Sequence, residues 1–266
     1  MRSLFELRAQ VSDKTALAIE LGGLSCLVGI WWLICYSGLI GPALLPSPWA
    51  VVTSYGELYD RRLFENLGYS MVINALGYVE AVSLCLIFGF IIGLFPFFRE
   101  MFRRPLDAMR FLPLTALTGV FISWFGIESQ MKVQFLAFGI AVYLLPVVVQ
   151  RVQEVDEVYC DMVYTLGATR WQTIWHVFVP AVFSKISDDI RVLVAISWTY
   201  IIVAEMINSN GGGVGTMTYM AARNSRVDMV FALLVAIIAV GVLQDRIATW
   251  FDRWMFPFKH TGGAMT

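Results

Sequence analysis

Six apolar runs, each close to the length that crosses a bilayer, alternate along this 266-residue chain with short polar segments. A helix needs about 20 apolar residues to span a hydrocarbon layer about 30 Å thick. By that measure the spans fall at about residues 21–40, 67–98, 111–127, 133–150, 190–207 and 228–244. The second run carries one charged residue, Glu80, ahead of the charge-free stretch 81–98. The third and fourth runs are joined by ESQMK at 128–132, which makes them a tight hairpin. No run alternates polar and apolar positions as a barrel strand does, and a helix satisfies its own backbone in lipid. The fold class expected is an all-α integral membrane protein with six transmembrane helices.

Between and beside the spans lie three polar regions. Residues 1–20 pattern as an interfacial amphipathic helix carrying Leu4, Leu7, Val11 and Leu17 on one side. The first apolar run starts late and has full span length, unlike a cleavable signal. Residues 151–189 form the longest loop, and 247–266 a tail. With the N-terminus inside, 14 of the 19 Lys and Arg residues fall on cytoplasmic segments. The positive-inside rule therefore predicts cytoplasmic termini and a cytoplasmic 151–189 loop.

The loop carries local helix signals. Gly167 marks the end of a helix that contains Asp161 to Thr165, and Thr169 with Gln172 three residues on fits a capping box. The helix it starts places Trp171, Ile174, Trp175 and Phe178 on one apolar stripe before Pro180 breaks it. Such a stripe suits insertion into a partner's groove; resting at the headgroup boundary or under its own bundle is the alternative. His176 on this helix reads as an interface contact.

Composition changes the picture in two ways. At 58% hydrophobic and 15% charged residues, the chain has lipid as its main solvent. Its 19 basic and 20 acidic residues supply no concentrated basic face, so no nucleic acid partner is expected. Cys26, Cys35, Cys85 and Cys160 form no metal-binding spacing and read as small buried hydrophobes. The glycines at 211–215 lack the Lys of a phosphate loop, and two distant histidines cannot build a catalytic cluster, so no catalytic residue is expected. Charged groups at membrane depth mark a candidate solute path, which points to Glu80 and Glu205, with Trp124 and Trp198 beside it. Glu205 has a second reading, a salt bridge to Arg223 or Arg226; Glu80 has one too, burial against Asn74 or a neighbouring span.

The order Asp161, Gly167, Val177 and Pro180 resembles the cytoplasmic EAA loop of ABC importer permeases. Pro46-Ser47-Pro48, Trp124-Phe125-Gly126, LGATR at 166–170 and Ala204-Glu205-Met206 followed by GGGVG at 211–215 resemble the nitrate, sulfonate and taurine type. The similarity runs from about residue 46 to 246. Met162 and Val163 stand where that loop has alanines, and Ile73 and Asn74 where an Arg follows the family's Ser, here Ser70.

The resemblance implies a type I ABC importer-like fold in a bacterial inner membrane. It further implies two ATP-binding cassette subunits that hold ATP and Mg, a second permease chain, as a homodimer or a heterodimer, and an extracytoplasmic solute-binding protein. This chain would carry no cofactor. Asp161, Gly167, Ala168, Thr169, Arg170, Trp171, Ile174, Trp175, Phe178 and Pro180 would couple to the ATPase, and the solute would be small, of the nitrate, sulfonate, taurine or bicarbonate class. Ser70, Asn74 and Met206 join Glu80, Glu205, Trp124 and Trp198 as candidates for the path. A secondary transporter working without an ATPase is the alternative, with an integral membrane enzyme third.

Overall fold

The structure, a computed structural model, describes residues 11–207 and 211–255. Among these residues the regular structure is entirely helical. The elements are α1 (Asp13–Ser37), α2 (Pro48–Asp60), α3 (Leu63–Leu94), α4 (Pro96–Met109), a 3₁₀ turn (Leu114–Leu117), α5 (Thr118–Phe125), α6 (Ser129–Gln153), α7 (Glu157–Thr165) and α8 (Arg170–Thr173). A π turn (Ile174–Phe178) then leads into α9 (Val179–Ile207), followed by α10 (Val214–Arg223) and α11 (Val227–Met255). Five helical stretches are long and apolar enough to cross a membrane, and a bent pair makes a sixth.

The chain divides into two compact units, one of residues up to 61 with 221–233, the other of 62–220 with the residues from 234 on. In the larger unit α3, α6 and α9 form the core, where Ala81, Leu136, Ile140, Leu144, Val148, Ile186 and Ile201 are buried together. The contact between α3 and α6 depends on small residues in α3. A Cβ on Gly77 would come within 2.8 Å of Leu136, and one on Gly93 within 2.7 Å of Val152. Without a hydrophobic drive between helices in lipid, such close backbone approach supplies the dispersion contact that holds them. At its far end α11 is tied to α9 by Arg191, which lies 3.5 Å from Asp245. In the smaller unit Tyr55 donates to the Ala232 carbonyl at 2.8 Å, and Trp31 stacks on Phe231 with centroids 5.9 Å apart.

Several elements differ from the sequence expectation. Residues 13–20 are the first turns of α1, because no Gly or Pro separates them from the apolar run; Leu4 and Leu7 lie outside the described residues. The run at 111–127 is no straight span. Pro113 keeps Leu112 out of the helical region, so the chain is interrupted after Met109 and α4 meets the stretch Leu114–Phe125 at 95°. That stretch is only about 18 Å long at helical rise, too short to cross alone. The fifth span is the second half of a helix that runs unbroken from Arg170 to Ile207. α2 and α10 were not foreseen. Ser47 caps α2 by accepting from the Ala50 N–H at 3.2 Å, and Pro48 occupies the first turn, where its missing N–H costs nothing.

Gly89 and Gly68 provide a matched test of α3 packing. The α6 side chain of Val148 fills the space a Gly89 side chain would need, whereas Gly68 has open space around it. Gly89→Leu is expected to destabilise the larger unit by about 1–3 kcal/mol through overpacking. Gly68→Leu should leave the thermal midpoint in detergent unchanged, and equal midpoints for the two variants would contradict this packing.

Candidate functional site

Two arrangements of side chains stand out, one on the surface at the 151–189 loop and one buried at the other end of α9.

The loop is a rigid structure built from local signals. Asp156 caps α7 by accepting from the Val158 N–H at 3.1 Å. At its end the Ala168 N–H reaches the Val163 carbonyl at 3.0 Å and the Gly167 N–H reaches Tyr164 at 2.9 Å, with Gly167 at φ +83°. This is the paired-bond helix stop that requires a left-handed residue. Thr169 and Gln172 then make the expected capping box, with the Thr169 N–H donating to Gln172 Oε1 at 2.8 Å. Thr173 and Val177 face inward, and Val177 packs with Val152, Val155 and Val182.

Trp171 and Trp175 point outward, 70% and 63% exposed, beside exposed Tyr159, Met162 and Leu166. The expected four-residue stripe is thus split. Ile174 and Phe178 are turned half into the bundle, because the inward face is set by Thr173 and Val177. Asp161, Thr169 and Arg170 are exposed and Ala168 is half-buried. Pro180 does not end the helix. The π turn before it, in which the Val179 N–H reaches back to the Ile174 carbonyl, shifts the bonding register and absorbs the missing donor. His176 contacts the Gln172 carbonyl at 2.9 Å.

A charged clasp closes the base of this loop. Arg151 at the end of α6 grips Asp189 of α9 through Nε at 2.7 Å and Nη2 at 3.0 Å, and its Nη1 reaches Glu154 at 2.8 Å. Lys185 donates to the Glu154 carbonyl at 3.3 Å. Hydrogen bonds from Arg151 and then Gln150 hold the Glu154 carboxyl below its ordinary pKa, so this contribution is present at neutral pH and fades only on acidification. Sequence reasoning missed the clasp, since its partners lie 38 residues apart.

The buried arrangement centres on Glu205, fully buried near the end of α9. Ser70 Oγ of α3 donates to the carboxylate, 2.7 and 2.9 Å from its two oxygens, and accepts from the Val214 N–H at 2.9 Å. The Gly215 N–H donates to Glu205 Oε2 at 2.8 Å, so the carboxylate caps the positive end of α10. Asn66 accepts from the Gly213 N–H at 2.8 Å, and the fully buried Lys132 donates to the Gly212 carbonyl at 3.0 Å. Gly213 sits at φ +108°, and a Cβ there would fall inside the Glu205 carboxylate. The glycine run is therefore a strap wrapped around a buried charge.

The expected path residues lie in several different settings. Ser70 and Glu205 belong to the strap; Arg226 pairs with Glu57 and Asp228, each at 2.9 Å. Asn74 is buried on Ser197, its Nδ2 donating to Ser197 Oγ at 2.9 Å. Trp198 is buried and donates to Gln244 at 2.6 Å. Met206 is half-buried and Trp124 exposed. Glu80 is half-buried and is held by Gln134 of α6, whose amide donates at 2.8 and 3.0 Å; Asn74 is not its partner. Of the cysteines only Cys85 is buried and Cys26 is exposed. Among the described residues no three His, Cys, Asp or Glu side chains converge as metal ligands.

Residues 85–257 match the family described as "Binding-protein-dependent transport system inner membrane component". The chain is 29% identical over 240 residues to a putative aliphatic sulfonates transport permease of Bacillus subtilis, covering 88% of this chain and 85% of that protein. It is 26% identical to the taurine transport system permease of Escherichia coli, covering 87% and 89%. Among solved structures it resembles a bacterial ABC transporter involved in the import of the acidic polysaccharide alginate, with TM-score 0.63 at 15% identity over 91% of this chain and 96% of that one. The MetNI methionine ABC transporter gives TM-score 0.55 at 17% identity over 70% and 95%. The fold is that of the type I ABC importer permeases.

Replacing Glu205 by Ala is expected to strand the Ser70 hydroxyl and the Gly215 N–H, at about 1–3 kcal/mol for each orphaned group. Because both side chains share one bond, Ser70→Ala combined with Glu205→Ala should cost less than the sum of the single changes. Thermal unfolding of the four proteins in detergent reads this, and strict additivity would refute the shared bond.

Proposed function

The chain belongs to the family of binding-protein-dependent transport system inner membrane components, and from that membership we propose that it forms the solute pathway of an ATP-driven importer and takes its drive at Trp171 and Trp175. The coarser part is established: this is a multi-pass inner-membrane permease of the ABC importer type. In the finer reading two copies of the chain line the pathway, two ATPase subunits hold ATP and Mg, and an external binding protein delivers the solute. The distribution of Lys and Arg puts the loop and both termini in the cytoplasm.

One observation carries the coupling assignment. The exposed tryptophan pair sits on the first turns of the same helix that continues, through the π turn, to Glu205 and the glycine strap. A push on Trp171 and Trp175 is therefore delivered along one continuous helix into the span. The Schellman stop at Gly167, the capping box at Thr169 and the Arg151–Asp189 clasp keep that lever from yielding locally. Closure of the ATPase dimer then rocks the bundle as a rigid body, which is alternating access. Asp161, Ala168, Arg170 and Pro180 shape and flank the docking surface, while Ile174 and Phe178 anchor it from within.

The relatives' names give aliphatic sulfonates and taurine, and a further relative, from Synechococcus elongatus, is a bicarbonate permease at 24% identity. We assign this chain a small polar solute of that class. Along the pathway the Glu80–Gln134 pair is the candidate contact, because a carboxylate left half-exposed at membrane depth requires water or a partner beside it.

Trp175→Asp is expected to abolish ATP-driven uptake in the assembled transporter without reducing the amount of chain in the membrane. Gly167→Leu should act the same way by forcing a branched side chain into a left-handed position. Uptake assays paired with membrane quantitation decide the matter, and normal transport by Trp175→Asp would refute the docking assignment.

A further inference from the structure

The helix α4 is built for a membrane boundary. Arg99, Glu100, Arg103, Arg104 and Asp107 share one face. On the other, Leu106 is buried and Phe98, Phe102 and Met109 pack with it against Ile92 and Val149, while Phe97 and Met101 are 72% and 58% exposed. One helix thus presents a packed side, an apolar outer side and a charged side, the division of an amphipathic helix lying in the interface plane. Its position agrees, for it starts two residues after the apolar α3 ends at Leu94, and Gln150, Arg151 and Gln153 close the apolar run of α6.

Between the charged side of α4 and the end of α6 lies a groove of about 460 Å³. Arg99, Arg103 and Arg110 line it together with Glu100 and Asp107, above a floor that includes Ile92, Leu106 and Val149. Three guanidinium groups against two carboxylates leave one positive charge in excess. The pairing inside is loose: Glu100 is 4.0 Å from Arg99 and 3.9 Å from Arg103, beyond hydrogen-bond reach. Arg110 is exposed and has no carboxylate partner among the described residues.

We propose that this groove holds the headgroup of one anionic phospholipid, its phosphate bonded by Arg99, Arg103 and Arg110. Arginine donates in a fork that matches phosphate oxygens, and one phosphodiester supplies the single negative charge the groove lacks. Gln153 in the lining offers a donor to a glycerol headgroup. The apolar floor of Ile92, Leu106 and Val149 selects a lipid over a soluble anion, since an acyl chain covers surface that free phosphate leaves wet. Basic pockets between helices at the membrane boundary take anionic headgroups by this combination. The lipid would brace the right-angle bend between α4 and the stretch that follows it, holding the short broken span in place.

The test uses the purified full chain exposed to equal amounts of phosphatidylglycerol and phosphatidylcholine, with bound lipid read by native mass spectrometry. The wild type is expected to retain phosphatidylglycerol with a preference of at least several-fold. The triple variant Arg99→Gln, Arg103→Gln, Arg110→Gln should lose that preference, and Arg223→Gln should keep it. Arg110→Gln alone, at an exposed and unpaired position, should weaken retention without altering the thermal midpoint in phosphatidylcholine nanodiscs, which separates lost binding from lost folding. Phosphatidylglycerol should raise the midpoint of the wild type and leave that of the triple variant unmoved. Equal retention of the two lipids by the wild type, or undiminished preference in the triple variant, overturns the proposal. So does full displacement of phosphatidylglycerol by an equal concentration of inorganic phosphate, which would identify a free-anion site.

Discussion

A polar or charged group removed from water at membrane depth must find its partner within the chain, and this demand organises the larger unit. Glu205 is met by Ser70 and the N-terminal N–H groups of α10, Lys132 by the Gly212 carbonyl and the Tyr69 ring, Asn74 by Ser197, and Trp198 by Gln244. Each of these pairings joins two elements. The polar groups therefore specify which helix faces which, while dispersion at the glycines of α3 sets how closely they approach.

The Glu205 arrangement shows how one charge can order several segments. A short run rich in glycine has little tendency to hold a shape, yet here it is fixed at three successive residues by Asn66, Ser70 and Glu205. The glycines are needed because their backbone must lie against the carboxylate with nothing between. Lys132 grips the same strap through a carbonyl, so opposite charges bracket it. Since Glu205 closes the helix that starts at Arg170, the strap and the tryptophan ridge occupy the two ends of one rigid element.

The arrangement at the loop follows a related logic with local forces in place of long-range ones. A capping box, a Schellman stop and an N-cap Asp are short-range devices that need no partner from elsewhere, and they hold Trp171 and Trp175 outward. The clasp of Arg151 with Asp189 and the bond from Lys185 to Glu154 reach across the loop.

The apolar runs determined that the chain is helical and crosses the membrane, since length and the absence of alternation are enough to satisfy lipid. Gly167, Thr169 and Gln172 determined the loop's turn and cap, because hydrogen bonds three to five residues apart are written in adjacent letters. What only the tertiary structure decided were the roles of residues whose partners are distant. Ser70 reads from the sequence as a solute contact, and Glu205 as a solute contact or a salt-bridge partner; only the packing of α3, α9 and the glycine strap brings the two together from 135 residues apart in the chain. The broken span and the passage of the helix through Pro180 belong to the same class. A proline or a charged face only raises the cost of continuing a helix, and the neighbours that pack against it settle whether the chain bends, as before Leu114, or widens by a turn and goes on.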